Sequence, residues 1–181
     1  MGSTRQSIKT GLLCDTQANH YIRYLNSDII KSSAVCLPNV YFSYVLLKKT
    51  DAQIRQYLEG RRMQRKRVYY LPVFHNQHWF FVKVGIREIL ICDSLRKRLA
   101  KYVNMEPVAN IVRFTRNVLG RQLELVVDQT FPQQFKPVDC GYFMLCGLKD
   151  CVENKSWSFD AEDMAARKAE IGRVLIGLRN K

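Results

Sequence analysis

No stretch of this 181-residue chain approaches the ~18–20 consecutive apolar residues that a membrane-spanning helix requires, and its first residues lack the apolar core of a secretion signal. None of its six cysteines (14, 36, 92, 140, 146, 151) forms a CxxC pair, and its three histidines show no ligand spacing, so neither a metal nor another cofactor is expected. At this length a core can be buried without disulfides, which predicts a reduced, intracellular protein of the cytoplasm or nucleus. There are no repeats, no low-complexity segments and no dividing linker, so residues 1–181 read as a single domain. Acidic residues are scarce: 16 Asp and Glu stand against 29 Lys and Arg, for a net charge of +13. That excess points to an acidic partner. The basic residues are spread out and form no recognised nucleic-acid reader, so a nucleic-acid role is not expected. The densest cluster is "RRMQRKR", with Arg61, Arg62, Arg65, Lys66 and Arg67. A solvated loop, a localisation signal and a partner patch are all open to it.

What is present divides by periodicity. Residues 1–66 read as mainly helical. "TQANHYIRYLNSDIIKS" (16–32) places Ala18, Tyr21, Ile22, Leu25 and Ile29 on one helical face, with Asp15 or Thr16 as N-cap. Pro38 opens a second helix through 39–49, and Thr50 or Asp51 caps a third that ends near Gly60. From residue 67 the character turns to strand, in "RVYYLPVF" (67–74), "HWFFVKV" (78–84) and "EILICDS" (88–94). A helix at 106–119, a strand at 121–129, a helix at 140–153 and a last helix at 160–178 complete an α+β pattern, a mostly antiparallel sheet flanked by helices.

The hairpin "KVGIRE" predicts a type II′ turn at Gly85-Ile86. That register pairs Lys83 with Glu88 and, at the open end, His78 with Asp93. Directly opposed residues stand about 4.5–5.5 Å apart at Cβ, close enough for a carboxylate to hold an imidazole. His75 is the competing ring.

Cys140 stands where a Pro-broken loop becomes a helix, in "QQFKPVDCGYFML". A helix N-terminus and a neighbouring histidine both favour thiolate, the nucleophilic form. Gly141 lets the chain turn tightly and leaves room for a substrate carbonyl. A glutamine amide on the preceding loop can donate to an oxyanion. Cys146 and Cys151, within the helix, are assigned to packing.

The order His-Trp, then Asp ending the next strand, then Gln-x5-Cys-Gly, resembles the ubiquitin-like-protein proteases. That cysteine peptidase family includes deSUMOylases and deneddylases and is distantly similar to the adenovirus maturation protease. The resemblance covers roughly residues 68–150. It implies a papain-like architecture with the nucleophile at a helix N-terminus, residues 67–181 carrying sheet and catalytic helix, and 1–66 forming the substrate side. It implies Cys140 as nucleophile, His78 as base and acid, Asp93 as its orienter and Gln134 as oxyanion donor, with Gln133 the rival. Trp79 would roof a channel for a Gly-Gly tail. The family's "WLND" stretch has only "LLCD" here, which puts Leu12 where the Trp would be and Asp15 at the family's Asp. The activity implied is cleavage after a Gly-Gly-like C-terminus of SUMO, a Nedd-type modifier or ubiquitin. A viral-type peptide-processing protease and an effector acetyltransferase are alternatives for the same triad.

Overall fold

The computed structural model describes residues 13–29 and 35–178. Helix α1 (Asp15–Ile29) is followed by strand β1 (Val35–Cys36), helix α2 (Val40–Tyr44), a 3-10 turn (Leu46–Lys48) and helix α3 (Asp51–Gly60). The sheet strands β2 (Val68–His75), β3 (His78–Val84) and β4 (Glu88–Cys92) follow, then helices α4 (Leu99–Val103) and α5 (Glu106–Arg113). Helix α5 continues as a π-helical turn over Phe114–Val118 and leads to β5 (Glu124–Val127). A 3-10 turn (Pro137–Asp139) runs directly into α6 (Cys140–Val152), and α7 (Met164–Gly177) ends the described chain.

The five strands lie in the order β1-β2-β3-β4-β5. The centre, β2-β3-β4, is antiparallel, and each edge strand joins it in parallel. Both faces of this sheet are covered. Trp79 and Phe81 face a core shared with α1, α6 and α7. Phe80, Val82 and Val84 face a second core with α2, α3 and α5. Burial on both sides explains why "HWFFVKV" reads as continuously apolar instead of alternating.

Local chemistry sets the element ends. Thr50 and Gln53 form a reciprocal capping box at α3. Asn39, not Pro38, caps α2, its carboxamide oxygen accepting from the Phe42 N–H at 3.3 Å. The last helix starts later than residue 160 because Asp160 turns the chain first, accepting from the N–H groups of Glu162 and Asp163. Strand β5 starts later than residue 121 because Arg121 is committed elsewhere, donating to the carbonyls of Lys66, Arg67 and Gly85. Helix α4 was not expected from the sequence.

The β3–β4 register corrects the sequence expectation. Val84 faces Ile89 and Phe81 faces Cys92, so the turn centres on Ile86-Arg87, closed by the Gly85 N–H donating to Glu88 O at 2.9 Å. Gly85 does not take the positive φ that a type II′ turn demands. Lys83 stands opposite Leu90, not Glu88, and its ammonium lies 6.0 Å over the Tyr70 ring. Moving the turn by one residue moves each partner by two, which leaves every side chain on its original face. The apolar pattern therefore fits both registers equally. The two-residue turn with positive φ lies at Asn76 and Gln77 between β2 and β3, with φ of 49° and 60°, the type I′ signature.

Helix α6 lies close on β3. A Cβ at Gly147 would stand 2.7 Å from ring carbons of both Phe81 and Phe131. These rings meet edge-to-face at 5.6 Å and cannot retreat independently. Gly147→Ala is expected to cost about 1–3 kcal/mol, overpacking outweighing its gain of ~1 kcal/mol in helix propensity. Thermal melting should show a fall of a few degrees, and an unchanged or higher melting temperature would contradict this packing.

Candidate active site

The site lies at one end of the sheet, where groups from its two faces meet. His78 opens β3 and stacks on Phe80, with ring centroids 6.2 Å apart, on the α5 side. Cys140 opens α6 on the other side. Asp93 directly follows β4.

His78 Nε2 bonds Asp93 Oδ1 at 2.6 Å. The two are not directly opposed, because the β3–β4 ladder ends at Phe81 and Cys92. With the register moved, His78 reaches Asp93 along the diagonal, still within range of a ring. With Nε2 on Asp93, Nδ1 is left for Cys140, whose thiolate the His78 ring favours. His75 sits across the type I′ turn, opposite His78.

Asp93 is 1% exposed. Its Oδ1 also accepts from the Leu95 N–H at 2.8 Å, and its Oδ2 accepts from the Tyr102 hydroxyl at 2.6 Å. Lys97 Nζ stands 3.5 Å from Oδ2. Burial pushes the carboxyl pKa upward, but the bonds to His78 and Tyr102, the His78 charge and the Leu95 N–H hold it below the usual carboxylate value.

The same balance recurs at the other two groups. Burial opposes protonation of His78, yet its bonds to Asp93 and Cys140 and their negative charges push it up to about 9. Burial raises the Cys140 thiol, but His78 and the backbone N–H groups of Trp79 and Gly141 more than offset this, so it falls below an ordinary thiol. The Gly141 N–H is one of the unpaired donors at the start of α6. The arrangement favours a thiolate–imidazolium pair beside a helix N-terminus.

Two glutamines precede Cys140, and their amides are used differently. Gln133 spends both N–H donors on the carbonyls of Asp93 and Phe131, at 3.0 and 2.9 Å, and accepts from the Arg96 N–H. Gln134 accepts from the Ser94 hydroxyl at 2.5 Å and gives one N–H to Lys136 O at 2.8 Å. Its second N–H has no protein acceptor among these bonds. The Gln134 backbone N–H also bonds Ser94 O at 3.0 Å, fastening this loop to the residue after Asp93.

Gly141 corrects an expectation. It is helical, not a tight turn, and its α-carbon is crowded: a Cβ would stand 2.7 Å from Leu13 Cβ and 3.2 Å from Trp79 Cδ1. Glycine is needed here for the close approach of Leu13 and Trp79. Trp79 is 3% exposed, and its indole N–H donates to Leu13 O at 3.2 Å. Leu12 lies outside the described residues; Asp15 is exposed at the first turn of α1. The run 61–67 turns between α3 and β2, largely exposed, at the opposite sheet end from His78.

Leu13, Ser94, Leu95 and Tyr102 were missed from the sequence as site residues. Only Leu13 carried a signal, its place within the "LLCD" stretch. Beside Asp139, which immediately precedes the nucleophile, Lys168 of α7 supplies the compensating charge.

A buried cysteine favoured as thiolate beside a histidine bonded to a carboxylate, on a sheet covered by helices on both sides, is an arrangement suited to a papain-like cysteine peptidase. The family model of the Ulp1 protease family, C-terminal catalytic domain, matches residues 11–173, and the chain belongs to that family. No curated protein matches the chain significantly in sequence. Among solved structures, it is similar to the C-terminal Ulp1 protease domain in complex with Smt3, the yeast ortholog of SUMO. That likeness has a TM-score of 0.75 at 17% identity, covering 94% of this chain and 79% of that one. The Ulp1-like SUMO protease catalytic domain of Chaetomium thermophilum gives 0.67 at 16% identity, over 93% and 72% of the two chains. The Xanthomonas campestris effector XopD, bound to ubiquitin, gives 0.63 at 13% identity, over 90% of each. At these identities the likeness is one of fold.

The electrostatics can be checked without a substrate. Iodoacetamide should alkylate Cys140 at neutral pH, whereas Cys146 and Cys151, both pushed up to about 12 chiefly by burial, should remain unmodified. Mass mapping that shows all three modified at equal rates would contradict this account of the site.

Proposed function

We propose that this chain hydrolyses the bond following a Gly-Gly-like C-terminus of a ubiquitin-like modifier, as a processing protease or isopeptidase. The observation that carries the reading is the crowding at the nucleophile. Cys140 is 3% exposed, and Leu13 and Trp79 press on Gly141 beside it. A chain without side chains is the substrate such an approach favours. The neighbours solved with Smt3 and with ubiquitin support a modifier partner without choosing between SUMO, a Nedd-type modifier and ubiquitin.

The Cys140 thiolate attacks the glycyl carbonyl, and the Gln134 amide with the Cys140 N–H receives the developing oxyanion. The protonated His78 gives its proton to the departing lysine amine as the C–N bond breaks, leaving a thioester. His78 then takes a proton from water as its oxygen attacks the thioester; the C–S bond breaks, restoring the Cys140 thiolate and the His78 imidazolium and releasing the glycyl carboxylic acid, which ionises to solvent. Asp93 holds the ring throughout and transfers no proton. Residues 1–181 act as one catalytic domain in this reading, in a reducing compartment such as cytoplasm or nucleus.

The run Arg61, Arg62, Arg65, Lys66 and Arg67 is the candidate surface for acidic groups on the partner. The seven residues of β3 separate it from His78 by about 20 Å. A folded modifier with its tail at Cys140 has a body large enough to span that distance. Charge reversal at two of these residues should slow association with the modifier, more so at low salt, and leave cleavage of a short peptide unchanged.

A panel of modifiers bearing C-terminal electrophiles tests the reading directly: one or more should add its mass to Cys140, and Cys140→Ala should abolish both adduct and turnover. No adduct from a folded protein whose Cys140 still reacts with iodoacetamide would overturn the substrate class. Gln134→Ala should lower kcat by about 10²–10³ with little change in KM, since the oxyanion exists only in the transition state. Gln133→Ala should loosen the loop and cost stability more than rate. A kcat loss confined to Gln133→Ala would reverse the two roles.

Turnover should also fall above pH about 9, as His78 loses the proton it must give to the leaving amine. Cys140 alkylation should not fall there, because the thiolate persists. A turnover curve still rising at pH 10 would contradict His78 as the acid.

A further inference from the structure

We propose that Tyr102 is a positioning residue for the reaction, acting through Asp93 to hold the His78 ring and the Cys140 thiolate; this rests on the protease reading above. Tyr102 lies on the short helix α4, nine residues beyond Asp93 and fully buried. Its hydroxyl stands 2.6 Å from Asp93 Oδ2 and accepts from the Lys97 N–H at 3.1 Å. Because that N–H already fills the acceptor side of the oxygen, the phenolic proton is directed at the carboxylate. Its ring is wedged edge-on against Phe80, with centroids 6.0 Å apart. Phe80 in turn carries the His78 ring. Tyr102 thus touches both supports of the imidazole, the acid that bonds it and the ring on which it stacks.

The consequence follows from the count of donors. Asp93 Oδ1 serves His78 and the Leu95 N–H, while Oδ2, among the described residues, has Tyr102 at 2.6 Å and Lys97 Nζ at 3.5 Å. Lys97 is partly exposed, its ammonium lies 5.7 Å over the Tyr102 ring, and at 3.5 Å it holds Oδ2 less closely than the hydroxyl does. Among the described residues, the charged or titratable groups facing Asp93 and Tyr102 are His78 from β3, Cys92 of β4, Arg96 and Lys97 from the turn after it, with Cys140 of α6 beyond His78. Without the hydroxyl, the carboxylate can rotate towards Lys97 and becomes easier to protonate. The imidazolium is then held less firmly, and the thiolate it stabilises forms at higher pH.

Tyr102→Phe keeps the ring and removes only the donor. The pH midpoint of Cys140 alkylation by iodoacetamide should move upward, and kcat on a modifier substrate should fall roughly tenfold with KM nearly unchanged, as for loss of a bond to a charged group. In an Asp93→Asn background the same change should cost less than about twofold, since the hydroxyl's route of action is already gone. Equal losses in both backgrounds, or an unmoved midpoint, would overturn the proposal and reduce Tyr102 to packing. Should phenylalanine perturb folding, 3-fluorotyrosine placed at position 102 strengthens the donor with the ring retained. It should move the midpoint downward, and no movement would overturn the proposal equally. A wild-type protein whose Cys140 titrates as an ordinary thiol would instead sink the protease reading itself.

Discussion

The site depends on keeping a negative charge on a carboxylate that is almost wholly removed from water. Asp93, at 1% exposure, would be neutral if burial alone decided its state. It stays ionised because three donors converge on it, from His78, Leu95 and Tyr102. That charge keeps His78 protonated, and protonated His78 keeps Cys140 as thiolate. Each group holds the next in its reactive form, so the arrangement is as firm as its first member. Leu95 and Tyr102 lie beyond the reacting atoms, yet the state of the sulfur depends on them.

Placement at the sheet end is a matter of topology. His78, Phe80 and Tyr102 belong to the face backed by α5, while Trp79 and Cys140 belong to the face backed by α6. Side chains from opposite faces of a sheet are separated by the backbone everywhere except where the strands stop. Alternation along β3 does the rest. His78 turns to one side to meet Asp93, while Trp79 turns to the other and its backbone N–H reaches the Cys140 sulfur. A His-Trp pair at a strand start thus serves both sides of the sheet at once.

Much of this was legible in the residues. The helix starting at Cys140 and the strand starting at His78 stand where their sequence signals put them, and Asp93 meets His78 as expected, though from just beyond β4 and not from within it. The turn between β3 and β4 did not. Glycine at 85 and a Lys–Glu pair argued for one register, and the structure takes another that moves each partner by two. No side chain changes face between the two, so burial cannot discriminate them, and one exposed ion pair is worth too little to decide. The polar supports were illegible for a different reason. Ser94 meets Gln134 forty residues away, and Tyr102 meets Asp93 through a helix of five residues with no readable periodicity. Such contacts are fixed by loop closure, which local pattern does not encode. Gly141 was legible as important but not for the right reason: its hydrogen makes room for Leu13 and Trp79, not for a turn.

Helix α6 carries its own control for what makes a cysteine reactive. Cys140 and Cys146 are both buried, at 3% and 6% exposure, on one helix. Burial alone raises both thiols, and at Cys146 it prevails, pushing the thiol to about 12. At Cys140 the same penalty is overcome, because an imidazole and two backbone N–H groups point at the sulfur. The difference is one of position: only the first turn of a helix has N–H groups to spare, and only the sheet end has a histidine to offer. Shelter from water and thiolate character usually oppose each other. At Cys140 they coexist, because the backbone donors that hold the thiolate are themselves buried.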